Sequence, residues 1–329
     1  MTAEVTIVVP TKDRVRVLRQ CLVSLLAQDG VDLRVVVVDD GSVIDDVTRA
    51  AAAFDDPRVV VLRNDVSVGP SAARNRGISA ASTPWVAFCD DDDVWAPDKL
   101  ALQLKTMGAE PSARWSCCGS LTVDSQLVIV GHRRAPASGD LLSALLAFNV
   151  VPGGGSSVLA ARDLVVGAGG FDDAMDRAED WDLWIRLAQR SPVATVDRPL
   201  VAHRVWGRSE SLDTVGMARG HALVAERYGE LARERGVSFD ELGIEQWFAK
   251  QHLRAGRRRA ALRSFAAIAR REGPITWARA LVAFAAPDLV HRLGDARSRR
   301  DVPADWHADG TRWLQAIVRE TERTTPVLS

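Results

Sequence analysis

The sequence predicts an α/β fold, with a mostly parallel sheet flanked by helices and a helical C-terminal extension. Three observations carry this expectation. Short β-branched runs alternate with helical patterns through the first 120 residues. Clusters of acids stand directly after apolar runs, at the positions where strands of a parallel sheet end. From about residue 212 onward the pattern is helical, broken at Gly236, Gly273-Pro274 and Pro287.

The elements follow in order. Val5–Val9 is a β-branched run closed by Pro10-Thr11 and reads as a buried strand. Leu18, Leu22, Leu25 and Leu26 recur at helical spacing. Leu33–Val38, Arg58–Leu62 and Trp85–Phe88 read as further buried strands, with Ala-rich helices at Val43–Phe54 and Ser71–Ala81 between them. Beyond residue 120 the alternation loosens. Leu121–Val130 reads as a strand or hairpin, Asp140–Phe148 as a short helix, and Pro152–Ser157 as a loop entering the apolar run Val158–Ala161. Glu179–Gln189 is a strong helical pattern, followed by extended segments at Val193–Val196 and Leu200–Val205. Ligands of such sheets bind at the C-terminal strand ends, which selects the loops Pro10–Arg14, Asp39–Ser42 and Asp90–Asp93.

Composition narrows the function class. Lys plus Arg number 42 against 43 Asp plus Glu, a net charge of −1, which argues against a dedicated nucleic-acid binder. Cys21, Cys89, Cys117 and Cys118 show no C-x-x-C spacing, so neither a zinc site nor a disulfide scaffold is expected. No signal peptide or long apolar span is visible, and a reduced, cytoplasmic setting is the expectation. The balance hides an asymmetry: residues 251–300 hold twelve arginines and three acids. Such a segment is either a solvated helix surface or an attraction for an anionic membrane or anionic substrate.

Asp90-Asp91-Asp92-Asp93 carries the strongest chemical signal. Four adjacent carboxylates at the end of a buried strand repel one another, and a divalent cation would neutralise them. An oxygen-rich site with few protein ligands suits Mg²⁺ or Mn²⁺. A helix cap near Pro97 would use one or two of these acids, not four. Asp39-Asp40-Gly41-Ser42 is a similar device one loop earlier; alone it is also a common turn and cap. Arg74 and Arg76 lie on a helix from which an arginine can grip a diphosphate bidentately. Glu179, Asp180 and Asp182 open a helix, where acids are favoured by the dipole whether or not one of them is a general base.

Six segments in order resemble a known family: Val-Val-Pro-Thr-Lys-Asp-Arg at 8–14, Val-Asp-Asp-Gly-Ser at 38–42, Ala-Ala-Arg-Asn-Arg-Gly at 72–77, Phe-Cys-Asp-Asp-Asp-Asp-Val-Trp at 88–95, Gly-Gly-Phe-Asp at 169–172 and Glu-Asp-Trp-Asp-Leu-Trp at 179–184. The sequence resembles the family 2 glycosyltransferases of GT-A fold, over roughly residues 4–210. The resemblance implies a Rossmann-like catalytic domain over 1–210, with a nucleotide-sugar half at about 1–110, an acceptor half at about 111–210, and a helical region at 211–329. It implies an inverting transfer from a nucleotide-diphosphate sugar, UDP- or dTDP-linked, to a glycan, lipid-linked or small-molecule acceptor in cell-envelope biosynthesis.

Residue by residue, the resemblance implies that Pro10, Thr11, Asp13, Arg14, Asp39, Asp40, Arg74, Asp90 and Asp91 hold the nucleotide-sugar. Asp92 and Asp90 are the implied metal ligands for Mg²⁺ or Mn²⁺. Asp180 is the implied base, and Gly155, Ser156, Glu179 and Trp181 line the sugar and acceptor pocket. Two departures stand out. Lys12 replaces a frequent aromatic, and Trp206 stands where relatives carry a metal-binding His, leaving His203 as a substitute candidate. A sugar-nucleotide pyrophosphorylase would need a Gly-rich loop after the first strand, which Pro10–Arg14 lacks; a non-catalytic glycan or nucleotide-sugar binder would not need the intact acids. The arginines at 254, 257, 258, 259, 263, 270 and 271 are interspersed with Leu262, Phe265, Ile268, Trp277, Leu281 and Phe284. That pattern fits either apolar residues packed back onto the catalytic domain with the arginines in water, or peripheral contact with the inner face of an anionic membrane.

Overall fold

The computed structural model describes residues 4–44, 46–205, 213–273, 282, 285 and 296–324. Trp206, Trp277, Leu281 and Phe284 lie outside the described residues. The first half runs β1 (Glu4–Thr11), α1 (Val15–Leu26), β2 (Asp32–Asp39), α2 (Val47–Ala52), β3 (Val59–Arg63), α3 (Pro70–Ala80), β4 (Trp85–Phe88), β5 (Val94–Trp95) and α4 (Lys99–Ala109). The second half begins with β6 (Trp115–Val123), β7 (Ile129–Arg133), α5 (Leu142–Ala147), a 3₁₀ turn at Gly154–Ser157, β8 (Leu159–Ala161) and α6 (Arg162–Gly167). It continues with α7 (Glu179–Ala188), β9 (Val193–Arg204), α8 (Thr214–Glu234), α9 (Glu241–Arg254), α10 (Arg258–Glu272) and α11 (Ala304–Thr324).

The described strands form one mixed sheet in the order β3-β2-β1-β4-β8-β6-β9-β5, with β7 paired to β6. The first four strands are parallel, as their alternation with helices predicts. Antiparallel pairs enter with β8, β7 and β5, while β6 and β9 run parallel. Val193–Val196 and Leu200–Val205, expected as two extended segments, join into β9, whose register against β6 shifts around Gly119. Leu121–Val130, expected as a strand or hairpin, is hairpin: it holds the end of β6, the turn and the start of β7.

The α2 helix is shorter than its alanine content suggests. Asp46 accepts a hydrogen bond from Arg49 N at 2.8 Å and caps the helix there, so it starts at Val47 rather than Val43. Val43 and Ile44 stay in an exposed loop, with both backbone N–H groups donating to Asp13 Oδ1.

Each face of the sheet supports its own core. Val5, Ile7 and Val9 of β1 pack with Leu18 and Leu22 of α1, whereas Val8 packs with Val36, Val38 and the opposite helices. In the second core Trp115 and Trp184 stack with ring centroids 6.2 Å apart, and Phe88 meets Phe171 edge-on at 5.1 Å. Gly77 brings α3 onto β1; a Cβ there would overlap the Val8 side chain.

The C-terminal helices are tied to this frame. Arg227 and Tyr228 of α8 donate to Asp182 Oδ1 at 2.6 and 2.7 Å, fastening α8 to α7. Trp306, Trp313, Leu314 and Ile317 of α11 belong to the first core, with Trp306 seated over Gly119. On α10, Ala261, Ser264 and Ile268 are buried while Arg258, Arg259, Arg263, Arg270 and Arg271 are exposed. No helix among the described residues is long and apolar enough to cross a membrane.

Candidate active site

The C-terminal ends of β1, β2 and β4 open into one cleft of about 480 Å³. Pro10, Thr11, Arg14, Asp40, Arg74, Asp90, Asp91 and Asp92 line it from the first half of the chain, and Gly155, Glu179, Asp180 and His203 from the second.

The acidic loop is held by a dense set of donors. Thr11 Oγ1 donates to Asp91 Oδ2 at 2.6 Å, and Arg14 Nη1 reaches Asp91 Oδ1 at 3.2 Å and Asp92 Oδ2 at 3.6 Å. Burial, then the neighbouring charge of Asp92, push the Asp91 carboxyl up to about 7. Asp90 behaves oppositely: against its burial, the Arg74 guanidinium at 2.7 Å holds it below the ordinary carboxylate range. Asp93 is fully buried and accepts from Arg204 N at 2.9 Å, while His203 Nδ1 lies 3.3 Å from its other oxygen. Burial disfavours charge on His203, but Asp93 outweighs it and raises the imidazole to about 9.

Asp180 stands at the start of α7, where its Oδ1 accepts from Trp181 N at 2.7 Å and its Oδ2 from Asn149 Nδ2 at 3.4 Å. Burial raises its proton affinity against these donors and against Arg74. A carboxylate so tuned can take a proton from a hydroxyl brought beside it.

Other expected site residues sit elsewhere. Asp39 is fully buried, paired with Arg63 and accepting from Ser42 N, so it faces the loop rather than the cleft. Asp40 reaches the cleft wall, yet Asn64, Ser67, Val68 N and Gly69 N all donate to it, holding it below the usual carboxylate range despite its partial burial. Asp13, in the left-handed region at φ 52°, clips the Val43–Ile44 loop and does not line the cleft. Ser156 Oγ accepts from Asp90 N at 3.0 Å from beneath the acidic loop, and Trp181 is buried with its indole N–H on Leu145 O. Ser156 and Trp181 support the site from behind its walls.

Three contributors carried no motif: Asn149 touches Asp180, and Arg177 and Met217 line the cleft. Arg204, beside His203, donates from Nε to Asp92 O at 2.8 Å. Met217 comes from α8, so the C-terminal region supplies part of the wall. The only advance signal for any of them is the Asn at the end of an expected helix.

The acid set fits a hard divalent cation. Asp90, Asp91 and Asp92 all border the cleft and offer it carboxylate oxygens, the donors that hard divalent cations take. Among the described residues no three His, Cys, Asp or Glu side chains form a ready-made cage. A cation there would complete its coordination with diphosphate oxygens and water, as Mg²⁺ and Mn²⁺ commonly do.

Comparison with known proteins agrees with this geometry. Residues 6–119 match the model for Glycosyl transferase family 2. The chain is 42% identical over 107 residues to the succinoglycan biosynthesis protein ExoO of Rhizobium meliloti, covering 32% of this chain and 30% of that protein. It is 25% identical over 262 residues to an uncharacterized glycosyltransferase of Haemophilus influenzae, covering 78% and 87%. It spans about a third of the length of ExoO and of two Rickettsia relatives. Among solved structures, the Pyrobaculum calidifontis mannosyltransferase PcManGT, in complex with GDP-Man and Mn²⁺, superposes with a TM-score of 0.55 at 20% identity, covering 97% of this chain and 88% of that one. S. aureus TarS 1–349, in complex with UDP-GlcNAc, gives 0.54 at 15% identity, covering 90% and 92%. The mixed sheet and the structural matches agree that the chain has the GT-A fold, and within it residues 6–119 match the family 2 glycosyltransferase model.

Proposed function

We propose that the protein is an inverting glycosyltransferase that moves a sugar from a nucleotide-diphosphate donor to an acceptor hydroxyl. The observation that carries this reading is the presence of Asp90, Asp91, Asp92 and Asp180 on the walls of one cleft. The donor occupies the half built by residues 1–110 and the acceptor the half built by 111–210, with the helices of 211–329 completing the wall. Arg14, Arg74, Thr11 and Asp91 hold the nucleotide-sugar. Asp90 and Asp92 would hold Mg²⁺ or Mn²⁺, which when bound offsets the charge of the departing diphosphate.

Asp180 takes the proton of the acceptor hydroxyl as that oxygen bonds to the anomeric carbon. The bond from that carbon to the diphosphate oxygen breaks in the same step, and its electron pair leaves with the nucleotide. One displacement inverts the carbon, so a single base suffices. Asn149 and the Trp181 N–H orient the carboxylate.

A UDP- or dTDP-sugar is the proposed donor, for which the UDP-GlcNAc in TarS is the support; the GDP-Man in PcManGT keeps guanosine donors in the test. We place the reaction in cell-envelope biosynthesis at the cytoplasmic side of the membrane, where the exposed α10 arginines could meet anionic lipid. A panel of nucleotide-sugars with Mg²⁺ or Mn²⁺, scored by thermal shift and then by transfer, tests the reading. A donor that raises the melting temperature and is turned over supports it; no stabilisation by any of them contradicts it.

A further inference from the structure

Ala178, the residue before Glu179 and Asp180, holds a left-handed backbone at φ 62° although it carries a Cβ. Such a conformation is strained for alanine and persists only where the surroundings fix it. The turn also starts α7, because Ala178 O accepts from Asp182 N at 3.1 Å as the first bond of the helix. Its geometry therefore sets how Glu179 and Asp180 enter the cleft that both of them line.

What fixes the turn is α8. The helix crosses the Arg177–Ala178 backbone at the buried Gly220, where a Cβ would lie 2.3 Å from Arg177 O and 3.1 Å from Ala178 Cβ. Only glycine admits the backbone this closely. The same helix holds the segment on either side of the turn: its cap Asp213 lies 3.6 Å from Arg177 Nε, and Arg227 and Tyr228 donate to Asp182. Relaxation of the turn is thus resisted before, at and after Ala178. We propose that Gly220 is a positioning residue for the transfer: it seats α8 on the left-handed turn and so aims Asp180 at the acceptor hydroxyl. The inference rests on Asp180 being the base, as proposed above. It gives the region after residue 210 a part in the reaction beyond its share of the cleft wall.

Full-length variants test the proposal, compared by melting temperature, by kcat and KM with the donor that the nucleotide-sugar panel selects, and by titration with UDP and Mg²⁺. Gly220→Ala pushes the Arg177–Ala178 backbone off α8, and kcat should fall about 10- to 100-fold, since a misplacement of about 1 Å can cost that much. Donor KM and UDP affinity should stay within a fewfold, because the proposed donor contacts come from residues 1–110. On the same helix, a Cβ at Gly229 meets nothing within 4 Å. Gly229→Ala should therefore keep the parental kcat and, with a better helix former in place, at least the parental melting temperature. Where Gly220→Ala yields no folded protein, Ala178→Val, whose branched side chain disfavours the left-handed turn, carries the test with the same expected split. A folded Gly220→Ala with parental kcat, a loss confined to UDP affinity, or a loss that Gly229→Ala shares overturns the proposal. Asp180→Asn, measured alongside, keeps the two readings apart. Parental turnover there removes the base, whereas loss there with none in Gly220→Ala removes only the positioning.

Discussion

Arg74 of α3 donates to Glu179 Oε1 of α7 at 2.8 Å, and its other terminal nitrogen meets Asp90 at 2.7 Å. One buried guanidinium thus joins the acidic loop to the helix that presents Asp180. The two carboxylates raise its proton affinity well above that of a free arginine, so it stays charged throughout. Its place is a brace between the two halves of the cleft.

Removing that brace takes the guanidinium from the buried Glu179 and the half-buried Asp90. Arg74→Met should destabilise the protein by about 3–5 kcal/mol, the range for breaking a buried ion pair from one side. Arg74→Lys, which cannot span both partners, should recover part of the stability but little turnover. Urea unfolding beside a transfer assay checks both.

Asp182 is fully buried between Arg186, Arg227 and Tyr228 and does not line the cleft. Asp182→Asn should cost about 2–4 kcal/mol, since three donors lose a charged partner. Where the variant remains folded, its donor affinity should stay within a fewfold of the parent's. Chemical denaturation and UDP titration separate the two effects.

The alternation of strands and helices was legible in residues 5–88, and so were the loops that form the cleft. Partner choice was not. Asp39 and Asp40 are adjacent and chemically identical, but Asp39 closes β2 against Arg63, twenty-four residues on, whereas Asp40 emerges at the cleft. Asp13 matched its motif, yet its backbone turn aims it at Val43 and Ile44. Trp306, Gly310, Trp313, Leu314 and Ile317 repeat at helical spacing, which announces a buried face without saying that β6 and α1 receive it. Arg177 and Met217 reach the cleft through packing between distant segments, for which the local sequence holds no signal.

His221 is ringed by Trp181, Trp247 and Phe248, with its Nδ1 buried and lacking a hydrogen-bond partner. Burial lowers its imidazole to about 4. The unfolded chain takes up this proton near pH 6.5 and the folded protein only near 4, so the contribution is whole above 6.5 and is lost as pH falls toward 4. The loss should amount to about 2 kcal/mol, allowing for a partly exposed ring. His221→Phe should flatten the stability profile between pH 4 and 6.5 relative to the parent.

Divalent cation should be required for tight donor binding. In EDTA the UDP-sugar should lose at least about tenfold in affinity, and Asp92→Asn should show the same loss with Mg²⁺ present. Its unfolding midpoint without ligand should fall little. Unchanged donor affinity in EDTA would remove the proposed role of Asp90 and Asp92.

The central claim is that Asp180 is the base of a single displacement. The most direct measurement compares Asp180→Asn with the parent, following turnover and UDP-sugar affinity in one preparation. Turnover should fall at least about 100-fold while donor affinity stays within a fewfold, because the carboxylate acts on the acceptor hydroxyl and not on the nucleotide. Near-parental turnover in Asp180→Asn, with a folded protein and intact donor binding, would contradict the account.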